Sequence, residues 1–123
     1  MKRLPDTELE VMKALWATGP DTPRSLLEER LAPFGWASNT VNTYLSRLAD
    51  KGFVAVRRVG KGNRYTPLVG QEEYQSFDSR AVLDRLYGSP RNFVAALARE
   101  GMRQDELEEL QALLDQLNRG QLR

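Results

Sequence analysis

The sequence predicts a mostly α-helical fold that includes one small antiparallel β-hairpin. Apolar residues recur every three or four positions through most of the chain, which is the spacing of a helix face. One stretch, residues 53–69, is instead rich in β-branched residues and is interrupted by a turn that contains two glycines. At 123 residues, the chain has room for one small domain and an appendage.

The composition excludes several classes of protein. The chain has no Cys and no His, so disulfides, the usual soft metal sites and thiol or imidazole catalysis are excluded. It also lacks a glycine-rich phosphate loop and a pair of carboxylates placed for acid–base chemistry. We therefore expect a binding protein, not an enzyme, with no catalytic residues, no cofactor and no metal site.

The hydropathy of the chain is that of a globular protein, with 41% hydrophobic and 28% charged residues. No apolar run approaches the roughly 20 residues that a membrane span requires, and the N-terminal segment lacks an apolar signal core. These features predict a cytoplasmic protein without a membrane partner.

The net charge of +1 conceals an uneven distribution along the chain. Residues 1–70 contain 11 Lys and Arg against 7 Asp and Glu, a net charge of +4, whereas residues 71–123 contain 7 against 10, a net charge of −3. Between Arg47 and Arg64, six cations face a single acidic residue, Asp50. Clustered positive charge of this kind is typical of proteins that bind nucleic acid.

Two helices are predicted before residue 36. Thr7 and Glu10 match a capping box, which predicts a first helix over about residues 7–18. Thr22 and Pro23 match the start of a second helix, with Thr22 as the N-cap residue and proline at the first helical position. The buried faces are predicted to be Leu9, Met12, Leu15 and Trp16 in the first helix, and Leu26, Leu27 and Leu31 in the second.

A third helix is predicted to begin at Ser38, and its two faces differ in chemistry. The apolar face is formed by Val41, Tyr44, Leu45 and Leu48. The opposite face carries Asn39, Thr40, Asn42, Thr43, Ser46 and Arg47. Because Asn, Thr and Ser are poor helix formers, helix stability does not explain this face. Asn can pair with adenine and Arg with guanine, which suits the major groove of DNA; a capped, polar helix start is the structural alternative.

The segment after the third helix predicts a β-hairpin with a cationic tip. Residues 53–59 and 64–69 are predicted as strands, and residues 60–63 as the turn between them. Its four cations are Arg57, Arg58, Lys61 and Arg64. By itself, a basic hairpin is usually a sheet edge whose charged side chains prevent aggregation, and it does not indicate DNA binding. Three helices followed by such a hairpin are the order of the winged helix-turn-helix, whose third helix enters the major groove while the wing straddles the DNA backbone.

This winged helix-turn-helix is predicted to occupy residues 1–70, and residues 71–123 are predicted to form a three-helix dimerisation region. Apolar residues recur at helical spacing over residues 73–86, in a helix capped by Ser89-Pro90, and over residues 104–118. Three short helices cannot enclose their apolar faces without another layer of structure.

We expect that layer to be a second copy of the chain, related by a two-fold axis, with Ala95 and Ala96 permitting close approach. The alternative is that the helices fold back onto the winged helix and leave a monomer. The residues predicted at the dimer interface are Phe77, Leu83, Leu86, Phe93, Leu97, Leu107, Leu110, Leu114 and Leu117.

Several short motifs occur in a fixed order along the chain. Residues 4–16 contain the pattern E-x-E-V-M-x-x-L-W, and residues 36–41 contain W-A-x-x-T-V at the entry to the third helix. Further matches lie at residues 45–48, 51–52 and 65–69, and in the C-terminal part at Phe77, Leu83, residues 86–88 and residues 105–110. With these motifs the chain resembles the BlaI/MecI penicillinase-repressor family of bacterial winged-helix regulators over nearly its whole length.

The resemblance implies a homodimeric transcriptional repressor whose winged helices bind a near-palindromic operator, an inverted repeat in double-stranded DNA. It implies DNA contacts from Asn39, Thr40, Asn42, Thr43 and Arg47 of the third helix, and from Arg57, Arg58, Lys61 and Arg64 of the wing. It also places Thr22 and Arg24 near phosphates. Some relatives have Lys or Arg at the position of Asn39, so the operator sequence is not predicted.

Two branches of the family differ in how repression is relieved. The copper-responsive branch uses C-terminal cysteines, which this chain lacks. The β-lactam branch is relieved by cleavage at an Asn-Phe bond, which implies a regulatory protease as a partner. Asn92-Phe93 is such a bond, but the position that matches the family's cut falls at Ala95-Ala96. The candidate cleavage region therefore includes both pairs.

Two other functions stay open from the sequence. The winged helix could serve only as a protein-interaction module, with the polar face of the third helix contacting protein. Alternatively, the chain could be a small-molecule-sensing regulator, with Trp16, Tyr65, Tyr74 and Phe77 lining a cavity between the wing and the C-terminal helices.

Overall fold

A computed structural model of the chain describes residues 1–120. The chain divides into two compact units, Met1–Ala81 and the residues from Val82 onward. Within the described range, no helix has both the length and the hydropathy needed to span a membrane.

The first unit contains four α-helices, a short 3₁₀ helix (Ala32–Phe34) and a three-stranded antiparallel sheet. The helices are α1 (Asp6–Thr18), α2 (Arg24–Leu31), α3 (Ser38–Asp50) and α4 (Gln71–Val82). The strands are β1 (Thr22–Pro23), β2 (Val54–Val59) and β3 (Gly62–Pro67), in the sheet order β1-β3-β2. The mostly helical fold with a basic hairpin after the third helix is therefore confirmed as a winged helix.

Helices α1 and α2 begin differently from the prediction. Pro5 is the N-cap residue of α1 and no side chain caps this helix, so the capping box of Thr7 and Glu10 is wrong. Helix α2 begins only at Arg24, because Thr22 pairs with Tyr65 across the sheet. The hydroxyl of Thr22 donates to the carbonyl oxygen of Gly19 at 2.8 Å, and no side chain caps α2, whose N-cap residue is Pro23.

The buried core of the first unit joins all three N-terminal helices to the hairpin. Its members come from helices α1–α4, from strands β2 and β3, and from the residues just before α1 and β2; they are Leu4, Val11, Met12, Leu15, Leu27, Leu31, Val41, Leu45, Leu48, Phe53, Val54, Tyr65 and Tyr74. Leu26, predicted on the buried face of α2, is exposed. The core therefore fixes one face of α3 and leaves the other face to solvent.

Helix α4 belongs to this core, and the unit therefore extends past Gly70. The hydroxyl of Tyr74 accepts the backbone N–H of Leu4 at 2.7 Å, and its ring contacts those of Trp16, Phe53 and Phe77. These contacts place the division of the chain after Ala81, inside α4, whereas the sequence predicts a boundary after residue 70.

One charged side chain lies inside the first unit. Glu8 is only 2% exposed, and its carboxylate accepts a hydrogen bond from Lys51 Nζ, which comes from the end of α3. A buried carboxylate without a partner would keep its full desolvation cost, so Glu8 in α1 depends on the cation of Lys51. The ion pair therefore couples α1 to the end of α3.

Replacing Lys51 with Met should destabilise the first unit by about 2–3 kcal/mol, since it leaves the Glu8 carboxylate buried without its cation. Both tryptophans, Trp16 and Trp36, lie in this unit, so denaturant unfolding followed by tryptophan fluorescence reports on it. The control is Lys13→Met, which breaks the exposed Lys13–Glu10 pair and should cost less than about 0.5 kcal/mol. Equal losses for the two variants would contradict the role given to Lys51.

The second unit consists of a π-helical turn (Leu83–Tyr87) followed by helices α5 (Pro90–Glu100) and α6 (Gln104–Asn118). Ser89 caps α5, because its hydroxyl accepts the N–H of Asn92 at 3.2 Å, and Pro90 occupies the first turn as predicted. Helix α6 has the bounds that its leucine spacing predicts. No residue between Val82 and Gly120 is buried.

Candidate nucleic-acid interface

The polar face of α3 is exposed. Val41, Leu45 and Leu48 point into the core, which turns the opposite side of the helix outward. Of the predicted contact residues, Thr40 is half-buried and the others are exposed: Asn39, Asn42, Thr43, Ser46 and Arg47. Short polar side chains and one Arg thus form a continuous helix face that can reach hydrogen-bonding groups in a DNA groove.

Strands β2 and β3 form the predicted wing beside this helix. Arg57 pairs with Arg64 across the two strands, and Arg58 pairs with Asn63. The connecting turn is Gly60-Lys61, where Gly60 has φ 59°, a left-handed conformation that favours glycine. All four predicted cations therefore lie on one hairpin, with Lys61 at its tip.

Asp21 reduces the free positive charge of the wing. Its carboxylate accepts two hydrogen bonds from Arg57, at 3.2 Å from Nε and 2.7 Å from Nη2, and lies 3.9 Å from Arg64 Nη1. Its own backbone N–H donates to Thr66 Oγ1 at 2.9 Å. The hydrogen bond from Arg57 lowers the pKa of the Asp21 carboxyl, so the carboxylate stays charged and the pair stays intact down to more acidic pH.

The sequence does not predict this pairing, because Asp50 is the only acidic residue between Arg47 and Arg64. Asp21 lies 36 residues before Arg57 and reaches it only because β1 adds to the edge of β3. No local sequence pattern predicts that β1 pairs with β3. Among the cations between Arg47 and Arg64, Arg47, Arg58 and Lys61 have no ion-pair partner in the described chain. Arg58 Nε donates to the carbonyl oxygen of Gly60 at 3.2 Å, which leaves Arg47 and Lys61 as the cations most accessible to phosphate or base.

Arg24 and Thr22, which the resemblance places near phosphates, both make contacts within the protein. Thr22 is 2% exposed, so its side chain lies in the core of the fold, and its contact with DNA stays a prediction. The guanidinium of Arg24 is occupied within the protein. It donates to the Ser38 carbonyl oxygen at 2.9 Å, to Glu28 Oε1 at 3.1 Å and to Asn42 Oδ1.

The residues predicted at the dimer interface are divided between the two units. Phe77 packs against the core of the first unit, which accounts for its apolar side chain. In the second unit, Leu83, Phe93 and Leu110 are half-buried, and the remaining predicted residues are exposed: Leu86, Leu97, Leu107, Leu114 and Leu117.

The candidate cleavage region lies inside α5. Asn92 Nδ2 donates to the carbonyl oxygen of Tyr87 at 2.9 Å, and the ring of Phe93 packs edge-on against Tyr87. Ala95 and Ala96 are half-buried in the same helix. Both candidate bonds are therefore helical, and cleavage of either one stays a prediction.

The aromatic residues proposed to line a ligand cavity form packed core instead. Tyr65 and Tyr74 are buried, and Trp16 donates its indole N–H to the carbonyl oxygen of Val69 at 2.9 Å. The ring of Tyr74 contacts those of Trp16 and Phe77. Residues 1–120 also contain no group of three or more acidic, His or Cys side chains that could hold a metal ion.

A winged helix with an exposed polar third helix and a basic wing defines a DNA-binding protein of the winged helix-turn-helix class. The solution structure of the DNA-binding domain of the repressor BlaI has the same fold. It matches with a TM-score of 0.52 and 31% sequence identity, over 60% of this chain and 94% of that domain.

Sequence comparisons extend the similarity to nearly the whole chain. The model of the penicillinase repressor family matches residues 4–116. The penicillinase repressor of Bacillus licheniformis is 29% identical over 121 residues, which cover 94% of each protein. The methicillin resistance regulatory protein MecI of Staphylococcus aureus (strain N315) is 27% identical over 88% of this chain and 89% of that protein. This chain therefore belongs to the penicillinase repressor family, and its relatives confirm the expectation of a transcriptional repressor and not an enzyme.

Proposed function

We propose that the chain acts as a homodimer that binds a near-palindromic operator in double-stranded DNA, with α3 in the major groove and the wing along the backbone. The observation that carries this proposal is the exposed Asn/Thr/Ser/Arg face of α3 next to a hairpin with four cations. Base-edge contacts from α3 would supply sequence preference, and the wing would supply affinity for phosphate.

The second unit supports the dimer. Between Val82 and Gly120 the single chain buries no residue, although α5 and α6 carry many apolar side chains. Leu107, Leu114 and Leu117 recur on one side of α6, and each is at least 40% exposed. A helix pair that leaves its leucines in water gains little from folding, so a second copy packed on this face is the simplest way to stabilise it.

A dimer also supplies what one winged helix lacks. A single module contacts only a few base pairs, whereas two modules related by a two-fold axis read an inverted repeat at a fixed spacing. The net charge of −3 on residues 71–123 favours an orientation in which the winged helix, not the C-terminal part, faces DNA.

The salt dependence of binding tests this function. Affinity for a mixed-sequence duplex, measured by fluorescence anisotropy, should fall steeply with salt, with a log–log slope of about −0.9 for each phosphate neutralised. A slope that corresponds to several phosphates supports DNA binding by α3 and the wing. A protein-interaction module would instead show no salt-sensitive association with DNA.

Asp21→Asn should increase affinity for mixed-sequence DNA and steepen the salt slope by about one phosphate, because Arg57 is released from its internal carboxylate. Asn tolerates the positive φ of 54° at this position, so the loop is preserved. The matched control is Asp105→Asn, which makes the same charge change at an exposed Asp–Arg pair outside the winged helix. An equal gain in both variants would show an effect of net charge and not of the Asp21–Arg57 pair.

A further inference from the structure

Arg24 fixes the direction of the Asn42 side-chain amide. Arg24 Nη1 donates to Asn42 Oδ1, while Nη2 of the same guanidinium donates to the carbonyl oxygen of Ser38 at 2.9 Å. A guanidinium carries five N–H donors and no acceptor. The amide atom that faces Arg24 must therefore be the oxygen, so the NH₂ group of Asn42 points elsewhere.

The guanidinium that imposes this orientation is itself held from three elements. Its Nε donates to Glu28 Oε1 of α2 at 3.1 Å, and its Nη1 lies 3.4 Å from the hydroxyl of Tyr65 in β3. Glu28 Oε1 also accepts the hydroxyl of Ser38, at the start of α3, at 2.9 Å. Because α2, α3 and the wing all contact the network, Arg24 is positioned before any DNA arrives.

The orientation of Asn42 limits which base it can read. Pairing of Asn with adenine uses both ends of the amide: the oxygen accepts from the adenine N6 amino group, and the NH₂ group donates to N7. Here the oxygen faces Arg24, which occupies one of its two lone pairs, and the NH₂ group is directed away from Arg24 and can donate to DNA. A base edge that offers only an amino group would place a donor opposite this donor.

We infer that Arg24 is a positioning residue that makes Asn42 a hydrogen-bond donor to the base edge, which favours bases that present an acceptor in the major groove over cytosine. Guanine O6 and N7, adenine N7 and thymine O4 are such acceptors, whereas cytosine presents only its N4 amino group there. This inference rests on the proposed binding of α3 to operator DNA. In this role Arg24 contributes to base specificity and does not contact a phosphate.

The experiment uses the full chain and a duplex selected by it from random DNA. Each position of the half-site is changed in turn to all four bases, and affinity is measured for the wild type and the variants. For the wild type, one position should disfavour cytosine relative to the other three bases by roughly fivefold or more. Arg24→Met should reduce that preference at the same position and leave the salt slope unchanged, since no phosphate contact is lost.

Two further variants sharpen the test. Asn42→Asp keeps an oxygen for Arg24 and replaces the NH₂ group by a second acceptor, so the preference at that position should reverse toward cytosine, which offers an amino group. Arg30→Met removes the same charge from an exposed position in the same helix, α2, and should leave the base preference intact. If Arg24→Met fails to fold, the base preference of Asn42→Asp by itself tests the inference.

Three results would overturn the inference. One is an Arg24→Met protein whose affinity falls by the same factor for all four bases and whose salt slope is shallower, which would make Arg24 a phosphate contact. Another is an Asn42→Asp protein that keeps the wild-type preference. The third is the absence of any selected site, which would overturn the proposed function together with this inference, whereas the first two leave the proposed function standing.

Discussion

Replacing Leu114 with Asp should convert the proposed dimer into monomers and weaken operator binding by about two orders of magnitude or more. Leu114 is 45% exposed in the single chain, so the substitution places a charge in water in the monomer but in an apolar interface in the dimer. Once the two winged helices are no longer joined, the second half-site is bound as a separate event, and the avidity of about 10²–10⁴-fold is lost.

Mass measurement by light scattering and operator titration should be made on the same preparations of the Leu114→Asp protein. Leu68→Asp is the matched control, because Leu68 is 57% exposed and lies in the first unit, outside the predicted interface. That variant should stay dimeric and bind normally. A Leu114→Asp protein that remains dimeric would place the interface elsewhere, and one that is monomeric with unchanged affinity would contradict the two-fold mode of binding.

Arg47→Ala should lower operator affinity by about 1–3 kcal/mol, or roughly 5- to 150-fold, and should relax specificity at one position of each half-site. Arg47 is exposed on the polar face of α3, and its guanidinium has no ion-pair partner among the described residues. It is therefore free to pair bidentately with guanine, which is the commonest specific contact of Arg with a base.

Lys61→Ala provides the comparison for Arg47→Ala. Lys61 lies at the tip of the wing, where the proposed binding mode would place it on a phosphate, a contact that carries no sequence information. Its loss should weaken binding to all sequences about equally and reduce the salt slope by about one phosphate. If Arg47→Ala also weakens binding to all sequences equally and reduces the salt slope, then Arg47 contacts the DNA backbone. That result would contradict the proposal that Arg47 reads a base from α3.

The parts of the fold that local patterns determine were predictable from the sequence. The leucine spacing of α6 gave its bounds, residues 104–118, and Ser89-Pro90 marked the start of α5 because a hydroxyl cap and a first-turn proline act within a few residues. The exposed face of α3 followed from its apolar stripe in the same way. Each of these features depends on neighbours that are close in sequence.

The parts that were missed depend on residues distant in sequence. Thr22 has the local pattern of a helix cap, but pairing with Tyr65, 43 positions later, makes it a buried strand residue. The same strand addition brings Asp21 to Arg57, and side-chain hydrogen bonds between α2 and the start of α3 bring Arg24 to Asn42. At these positions tertiary contacts outweigh the local sequence preference. The same positions determine the free charge of the wing and the direction of the Asn42 amide on α3.

The symmetry of the DNA that the purified protein selects from a random pool tests the central claim most directly. Two winged helices related by a two-fold axis should enrich an inverted repeat whose half-site centres lie about 10 base pairs apart, or a multiple of that distance. Enrichment of a single asymmetric site would contradict the two-fold dimer as the binding unit. Enrichment of no sequence at all would contradict base reading by α3.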